Sequence, residues 1–128
     1  MPSVRKQQEF QVPADELWSR IGDFHTLSAW HPAIESQTAE GGEQVRELHL
    51  ADGGTVVETL VEEGPQTYTY RIDESPLPVA DYVATMSVQD ADGGSVVTWV
   101  ADFRTVGATD DEAVAIIEGI FQTGLDAL

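Results

Sequence analysis

Through the middle of the chain, apolar side chains recur at every second position. Segments near 3–11, 34–40, 43–51, 55–62, 66–74, 79–90 and 94–106 alternate apolar with polar residues and are rich in Val, Thr and Tyr. That is the pattern of half-buried antiparallel strands. Glu40-Gly41-Gly42, Ala51-Asp52-Gly53-Gly54, Glu63-Gly64-Pro65 and Ala91-Asp92-Gly93-Gly94 separate several of them. Asp-Gly and Gly-Gly supply the positive φ that tight turns demand. Both Ala-Asp-Gly-Gly stretches run on into Thr or Ser and then Val-Val, but the match ends within a few residues. Shared hairpin chemistry accounts for it better than duplication.

The period changes at both ends of the chain. Pro13 suits a first helical position, with Asp15 and Glu16 in a first turn whose dipole favours anions. Leu17, Trp18, Ile21 and Phe24 then form a buried stripe ending around Gly22-Asp23. A second short helix, His25 to Trp30, must stop before Pro32. Thr109-Asp110-Asp111-Glu112 reads as a capping box, followed at helical spacing by Val114, Ile117, Phe121, Leu125 and Leu128. This helix would be ~27 Å long. The predicted class is α+β: one strand, two short helices, a six-strand meander and a long C-terminal helix. One helix cannot cover seven strands unless the sheet curls around it. Unless large side chains fill it, a gap remains between the two, and apolar gaps with a few polar groups are where small molecules bind.

Alternation sorts the side chains facing that gap. Arg46, Leu48 and Leu50 share one face of their strand, Val56, Glu58 and Leu60 one face of the next. Tyr68, Tyr70 and Ile72 follow, then Tyr82, Ala84, Met86 and Val88, then Val97, Trp99, Ala101 and Phe103. Arg46 and Glu58 are the two charged exceptions. Counting outward from Gly53 sets Leu48 opposite Glu58 and Leu60 opposite Arg46, within a residue of register, so the charged pair are near-diagonal neighbours within reach of a salt bridge. They are either a structural ion pair or a polar anchor or acid/base pair in an apolar pocket. The three inward tyrosines need partners for their hydroxyls, which a dry core supplies poorly. His31, in Trp30-His31-Pro32, is a candidate general base or gate, or a ring donating to a backbone carbonyl; His25 and His49 look surface-facing. Two prolines hold Ser75-Pro76-Leu77-Pro78-Val79 out of a strand, with Leu77 as an apolar knob expected to close one end of the cavity opposite Trp30 and His31.

Composition narrows the function classes. The 128 residues fit one domain, 1–128, able to bury a core without disulfide or metal. With no Cys there is no thiol nucleophile and no Cys-based zinc site. No His and carboxylate spacing suggests another metal site, and neither a phosphate loop nor a dinucleotide fingerprint occurs. Neither a metal nor a cofactor is expected. The net charge of −17 is spread over both halves: 12 acids and 4 bases in residues 1–64, 11 acids and 2 bases in 65–128. Such a surface repels nucleic acid and anionic lipid. No apolar run approaches the ~20 residues of a membrane helix, and Met1–Lys6 lacks the apolar stretch of a signal peptide. A cytoplasmic protein without membrane insertion, monomer or homodimer, is expected.

These residues resemble the START-like helix-grip superfamily, in its bacterial SRPBCC branch of polyketide cyclase/dehydrase and lipid-transport proteins. The resemblance is carried by Val12-Pro13-Ala14 through Trp18, Ile21-Gly22-Asp23-Phe24, Trp30-His31-Pro32-Ala33, Arg46 with Asp52-Gly53-Gly54 and Glu58, Tyr70, the Ser75–Val79 stretch with Tyr82, and Trp99 with Phe103. It spans essentially the whole chain. It implies a seven-stranded curved sheet gripping the C-terminal helix, with a ligand between them that enters past the short helices and the Ser75–Val79 loop. The expected ligand-binding residues are Trp30, Arg46, Glu58, Tyr68, Tyr70, Leu77, Tyr82, Trp99, Phe103, Ile117 and Phe121; the catalytic candidates are Arg46, Glu58 and His31. Two functions stand: a binding module for a small apolar or aromatic molecule, or a small cyclase or dehydratase. In the second, Arg46 would polarise a carbonyl while Glu58 or a tyrosine moves the proton.

Lys6 is the sole lysine among six basic residues. Avoiding lysine while favouring acids suggests a salt-rich cytoplasm, with ordinary bacterial acidity as the alternative. Adaptation to salt predicts that the thermal unfolding midpoint climbs with added KCl, because screening relieves self-repulsion. A flat response would leave only the alternative.

Overall fold

The computed structural model describes residues 1–39 and 42–128. Seven strands form one antiparallel sheet: β1 (Ser3–Phe10), β2 (Ile34–Thr38), β3 (Val45–Leu50), β4 (Thr55–Gly64), β5 (Thr67–Glu74), β6 (Val79–Ala91) and β7 (Gly94–Thr105). Between β1 and β2 lie α1 (Ala14–Ile21) and a short 3-10 helix (Phe24–Ala29), and the long helix α2 (Asp110–Asp126) follows β7. The spatial order is β1-β7-β6-β5-β4-β3-β2, a meander whose last strand returns beside the first. This is the curved sheet around a C-terminal helix expected from the sequence. The Glu40-Gly41-Gly42 turn and the end of the 34–40 strand fall partly on residues 40 and 41, outside the described residues.

Local chemistry explains the helix ends. Thr109 Oγ1 accepts from the Glu112 N–H at 3.1 Å while Glu112 accepts from the Thr109 N–H at 3.0 Å, the reciprocal box read from the sequence. Pro13 sits one residue earlier than expected: it is the extended cap residue at φ −60°, ψ 149°, and Ala14 begins the helix. The second short helix is 3-10 in type, and Thr26 leaves helical geometry at φ −124°. Asp23 caps it by accepting from the His25 N–H at 2.8 Å.

The core lies between the inner face of the sheet and the stripe Ala113, Ile117, Phe121, Gly124 and Leu125 of α2. Gly124 is needed there. A Cβ at this position would stand 2.6 Å from His31 Cδ2 and 3.1 Å from Trp99 Cζ3. The helix is thereby drawn tight to His31 and Trp99 near its C-terminus, and Phe121 stacks on Trp99 with ring centres 4.3 Å apart. α2 packs against β1 and β7. The sheet curves away from it on the β3–β5 side, where a space remains.

Candidate functional site

The site starts from the β3–β4 hairpin. Leu50 and Gly54 close it through a backbone bond of 2.8 Å, and Asp52 Oδ1 accepts from the Gly54 N–H at 3.1 Å. Pairing next to the turn begins at His49 and Thr55, so the loop is centred on Asp52 and not on Gly53. That displaces the register expected from the sequence. Arg46 lies directly opposite Glu58, and Leu48 faces Val56. Arg46 Nε donates to Glu58 Oε1 at 2.7 Å. Nη2 also lies 2.7 Å from that oxygen, but misaligned and without a hydrogen bond of its own among the described residues.

The guanidinium is sealed. Arg46 has 0% exposure, its Nη1 donates to the Phe24 carbonyl at 2.9 Å, and its carbon lies 4.0 Å from the centre of the Phe24 ring and 4.9 Å from that of Tyr70. Cation–π contacts of this desolvated kind contribute roughly 2 kcal/mol. Burial works to lower its pKa, but Glu58, Tyr68 and Tyr70 hold it above the ordinary arginine value. Burial pushes the Glu58 carboxyl up, and Arg46 pulls it only part of the way back, so it stays above the ordinary carboxylate value. The guanidinium does not deprotonate, and its other contacts are a carbonyl, aromatic faces and the neutral Tyr68 hydroxyl. Only an ionised Glu58 therefore leaves the pair neutral.

A cavity of about 330 Å³ opens beside this pair, between the sheet and α2. Of the residues singled out from the sequence, Glu58, Tyr70, Leu77, Tyr82, Trp99, Ile117, Phe121 and His31 line it. Trp30, Arg46, Tyr68 and Phe103 do not, and each is held away by identifiable packing. Arg46 stands behind Glu58 and Tyr70. Tyr68 packs on Trp18 and Phe24, its buried hydroxyl turned to the Arg46 guanidinium without a well-aligned hydrogen bond. Phe103 stacks behind Tyr82 at 6.0 Å between ring centres, and Trp30 lies against the outer side of the His31 and Trp99 rings. Much of the wall is apolar and was not selected from the sequence: Leu27, Ile34, Leu48, Leu50, Val56, Ile72, Ile116 and Ile120, with Ala33, Ala51 and Asp52. Alternation already put Leu48, Leu50, Val56 and Ile72 on the inner face. Ile116 and Ile120 flank the buried stripe of α2, and Ile116 is 41% exposed.

The polar groups of the wall are differently occupied. The Tyr70 hydroxyl accepts from Trp99 Nε1 at 3.0 Å. Burial first, then neighbouring charges, raise the Tyr70 and Tyr82 phenols above their ordinary values, so both remain protonated. Tyr82 lies within a register shift between Ala80 and Val83, next to Asp81 at φ 53°. Such a bulge re-aims the side chain beside it. Tyr82 and Ile72 also border an outer groove where β5 and β6 part. His31 uses both ring nitrogens. Nε2 meets the Ile120 carbonyl at 2.9 Å, so it must carry the proton, and Nδ1 accepts from the Ala33 N–H at 3.2 Å. This is the carbonyl-donating histidine among the two sequence readings, and it leaves no free nitrogen for proton transfer. His25, expected on the surface, is half-buried and contacts the Glu43 carbonyl at 2.6 Å. Leu77 reaches the cavity from a loop that packs close to the β3–β4 turn, where a Cβ on Gly54 would stand 3.2 Å from Pro76. Among the described residues no cluster of three His, Cys, Asp or Glu could hold a metal, and no helix is long and apolar enough to cross a membrane.

Two measurements probe this arrangement. Glu58→Gln leaves a buried cation unpaired and should cost about 3–5 kcal/mol in denaturant melts. The double variant Arg46→Met/Glu58→Leu should recover most of it; equal losses in both would show that the pair's charge is not what matters. For His31, burial lowers the pKa, the Ile120 bond partly offsets this, and Arg46 lowers it further. The unfolded chain then takes up the proton first as pH falls below the ordinary value of 6.5. Stability is complete above that pH and declines below it, by up to about 1.4 kcal/mol per pH unit until the folded-state pKa is passed. Melting between pH 7.5 and 5.5 should thus fall more steeply for wild type than for His31→Gln. Parallel curves would dissociate His31 from the effect.

The whole chain, residues 1–128, matches the family described as polyketide cyclase / dehydrase and lipid transport. No curated protein matches it. Among solved structures it is similar to the protein XoxI from Bacillus cereus, at 33% identity and TM-score 0.96 over 99% of this chain and 92% of that one. A putative uncharacterized protein from Bacillus thuringiensis gives 33% identity and TM-score 0.95 over 99% and 96%. The Zhui aromatase/cyclase from a Streptomyces species shares the fold at 20% identity, with TM-score 0.75 over 98% and 87%. A helix-grip sheet, a cavity against its C-terminal helix and a match along its full length agree: the chain belongs to the polyketide cyclase/dehydrase and lipid-transport family.

Proposed function

We propose that this protein binds a small apolar or aromatic molecule, lipid- or polyketide-like in skeleton, in the space between the sheet and α2. One observation carries the reading: a mainly apolar cavity of about 330 Å³ whose wall contains a buried carboxylate and two tyrosines. That volume is at the lower end for ligand sites, so the occupant is compact. Leu50, Leu77 and the part-exposed Ile116 form the rim through which it enters. A second reading, a small cyclase or dehydratase, is compatible with the family. Arg46 lies outside the cavity wall, so carbonyl polarisation by its guanidinium is disfavoured. Proton transfer would fall to Glu58 or Tyr82, with Tyr70 beside them. The balance favours binding.

Native mass spectrometry of the protein as purified should reveal a bound small organic molecule. Leu50→Trp at the rim should abolish that mass increment while the circular dichroism spectrum stays unchanged. Protein that carries nothing and takes up no aromatic or lipid-like probe would remove the reading. Turnover of a poly-β-ketone substrate would promote the enzymatic one.

A further inference from the structure

The polar groups of the cavity specify more than apolar shape, provided the cavity is a ligand site as proposed above. Glu58 has two carboxylate oxygens, and both Arg46 contacts fall on Oε1. Oε2 takes part in no hydrogen bond among the described residues, although the side chain is only 7% exposed and belongs to the cavity wall. A carboxylate oxygen turned to a mainly apolar cavity is best satisfied by a donor from an occupant, and an ionised one can only accept. His31 cannot supply that donor, because its single ring proton is committed to Ile120. Trp99 cannot either, because its indole N–H is committed to Tyr70. Tyr70 and Tyr82 bring protonated phenols to the same wall, the Tyr82 hydroxyl beside that of Tyr70, and neither donates to Oε2 among the described residues. Among the described residues the other acid of the lining is Asp52, and no lysine or arginine lines the cavity.

We infer that the ligand is an uncharged apolar molecule bearing a hydroxyl group, a phenol or alcohol, that donates to Glu58 Oε2 and can accept from Tyr82, and that carboxylates of the same skeleton are excluded. A hydroxyl both donates and accepts, so it suits an acceptor-only oxygen beside a phenol. A hydrocarbon would leave Oε2 without a donor. A carboxylate would set oxygen against oxygen, with Asp52 adding repulsion and no cation in the wall to offset either.

The test uses three probes of one shape, 2-naphthol, 2-methylnaphthalene and 2-naphthoate, titrated at neutral pH while the Trp99 indole N–H is followed by NMR. 2-Naphthol should bind at least about tenfold more tightly than either other probe, the scale of one hydrogen bond to a charged group. Arg46→Met/Glu58→Gln, which leaves no unpaired buried cation and so avoids the folding defect of Glu58→Gln alone, should bring naphthol and naphthoate within about threefold, because an amide offers a donor as well as an acceptor. Tyr82→Phe should keep the preference for naphthol over methylnaphthalene. Naphthoate or methylnaphthalene binding as well as naphthol to wild type overturns the inference and leaves the cavity reading standing. So does an unchanged preference in the double variant. Failure of all three probes to bind overturns both.

Discussion

A guanidinium with no exposure to water is the most demanding group in this protein, and much of the arrangement around it follows from satisfying it. Arg46 needs an anion, and Glu58 lies directly across the β3–β4 ladder. It needs further acceptors and polarisable faces, and the Phe24 carbonyl with the Phe24 and Tyr70 rings supplies them. An apolar pair of similar volume would be no worse for stability. What the ion pair adds is position: a one-residue slip of β3 against β4 would turn one charge to the opposite face of the sheet. The Phe24 bond also ties the 3-10 helix to the sheet, and that helix carries Leu27 into the cavity wall and leads directly to His31.

The cavity exists because α2 is held close at one place and not at another. Gly124 admits His31 and Trp99 against the helix, and the His31–Ile120 bond closes that contact. Farther toward the helix N-terminus, Ile116 and Ile117 face a part of the sheet that has curved away. Sheet twist makes such a separation natural. Large side chains could have filled it. Leu, Ile, Val and Ala line it instead, and the large rings of Tyr68 and Phe103 are spent on packing behind the wall.

Family and fold speak for ligand binding or for chemistry of the cyclase and dehydrase kind. The choice between them depends on which polar atoms reach the cavity and which are already occupied. Burying Arg46 behind Phe24 and Tyr70 and using both nitrogens of His31 leaves Glu58, Tyr70 and Tyr82 as the polar groups that line the cavity with capacity to spare. Two of the catalytic candidates read from the sequence thereby turn out to have structural partners.

Much of the fold was legible in the sequence because its signals are local. Alternation, Asp-Gly turns and the Thr109 to Glu112 box each act within a few residues, and each element they predicted is found within a few residues of its expected bounds. The same alternation put Arg46 and Glu58 on the inner face. It could not settle their pairing, because the register depends on whether the loop turns about Asp52 or Gly53, and both neighbours of that choice are compatible with the sequence. Nor could it decide which inward ring touches the cavity. Tyr70 and Tyr68 share a strand face, yet one lines the space and the other packs under α1 and the 3-10 helix. That difference follows from where the curved sheet, the short helices and α2 meet, through contacts between residues far apart in the chain. Sequence alone determined the elements and the inner face; tertiary structure decided which inner side chains are walls, which are supports and which retain an unsatisfied polar atom.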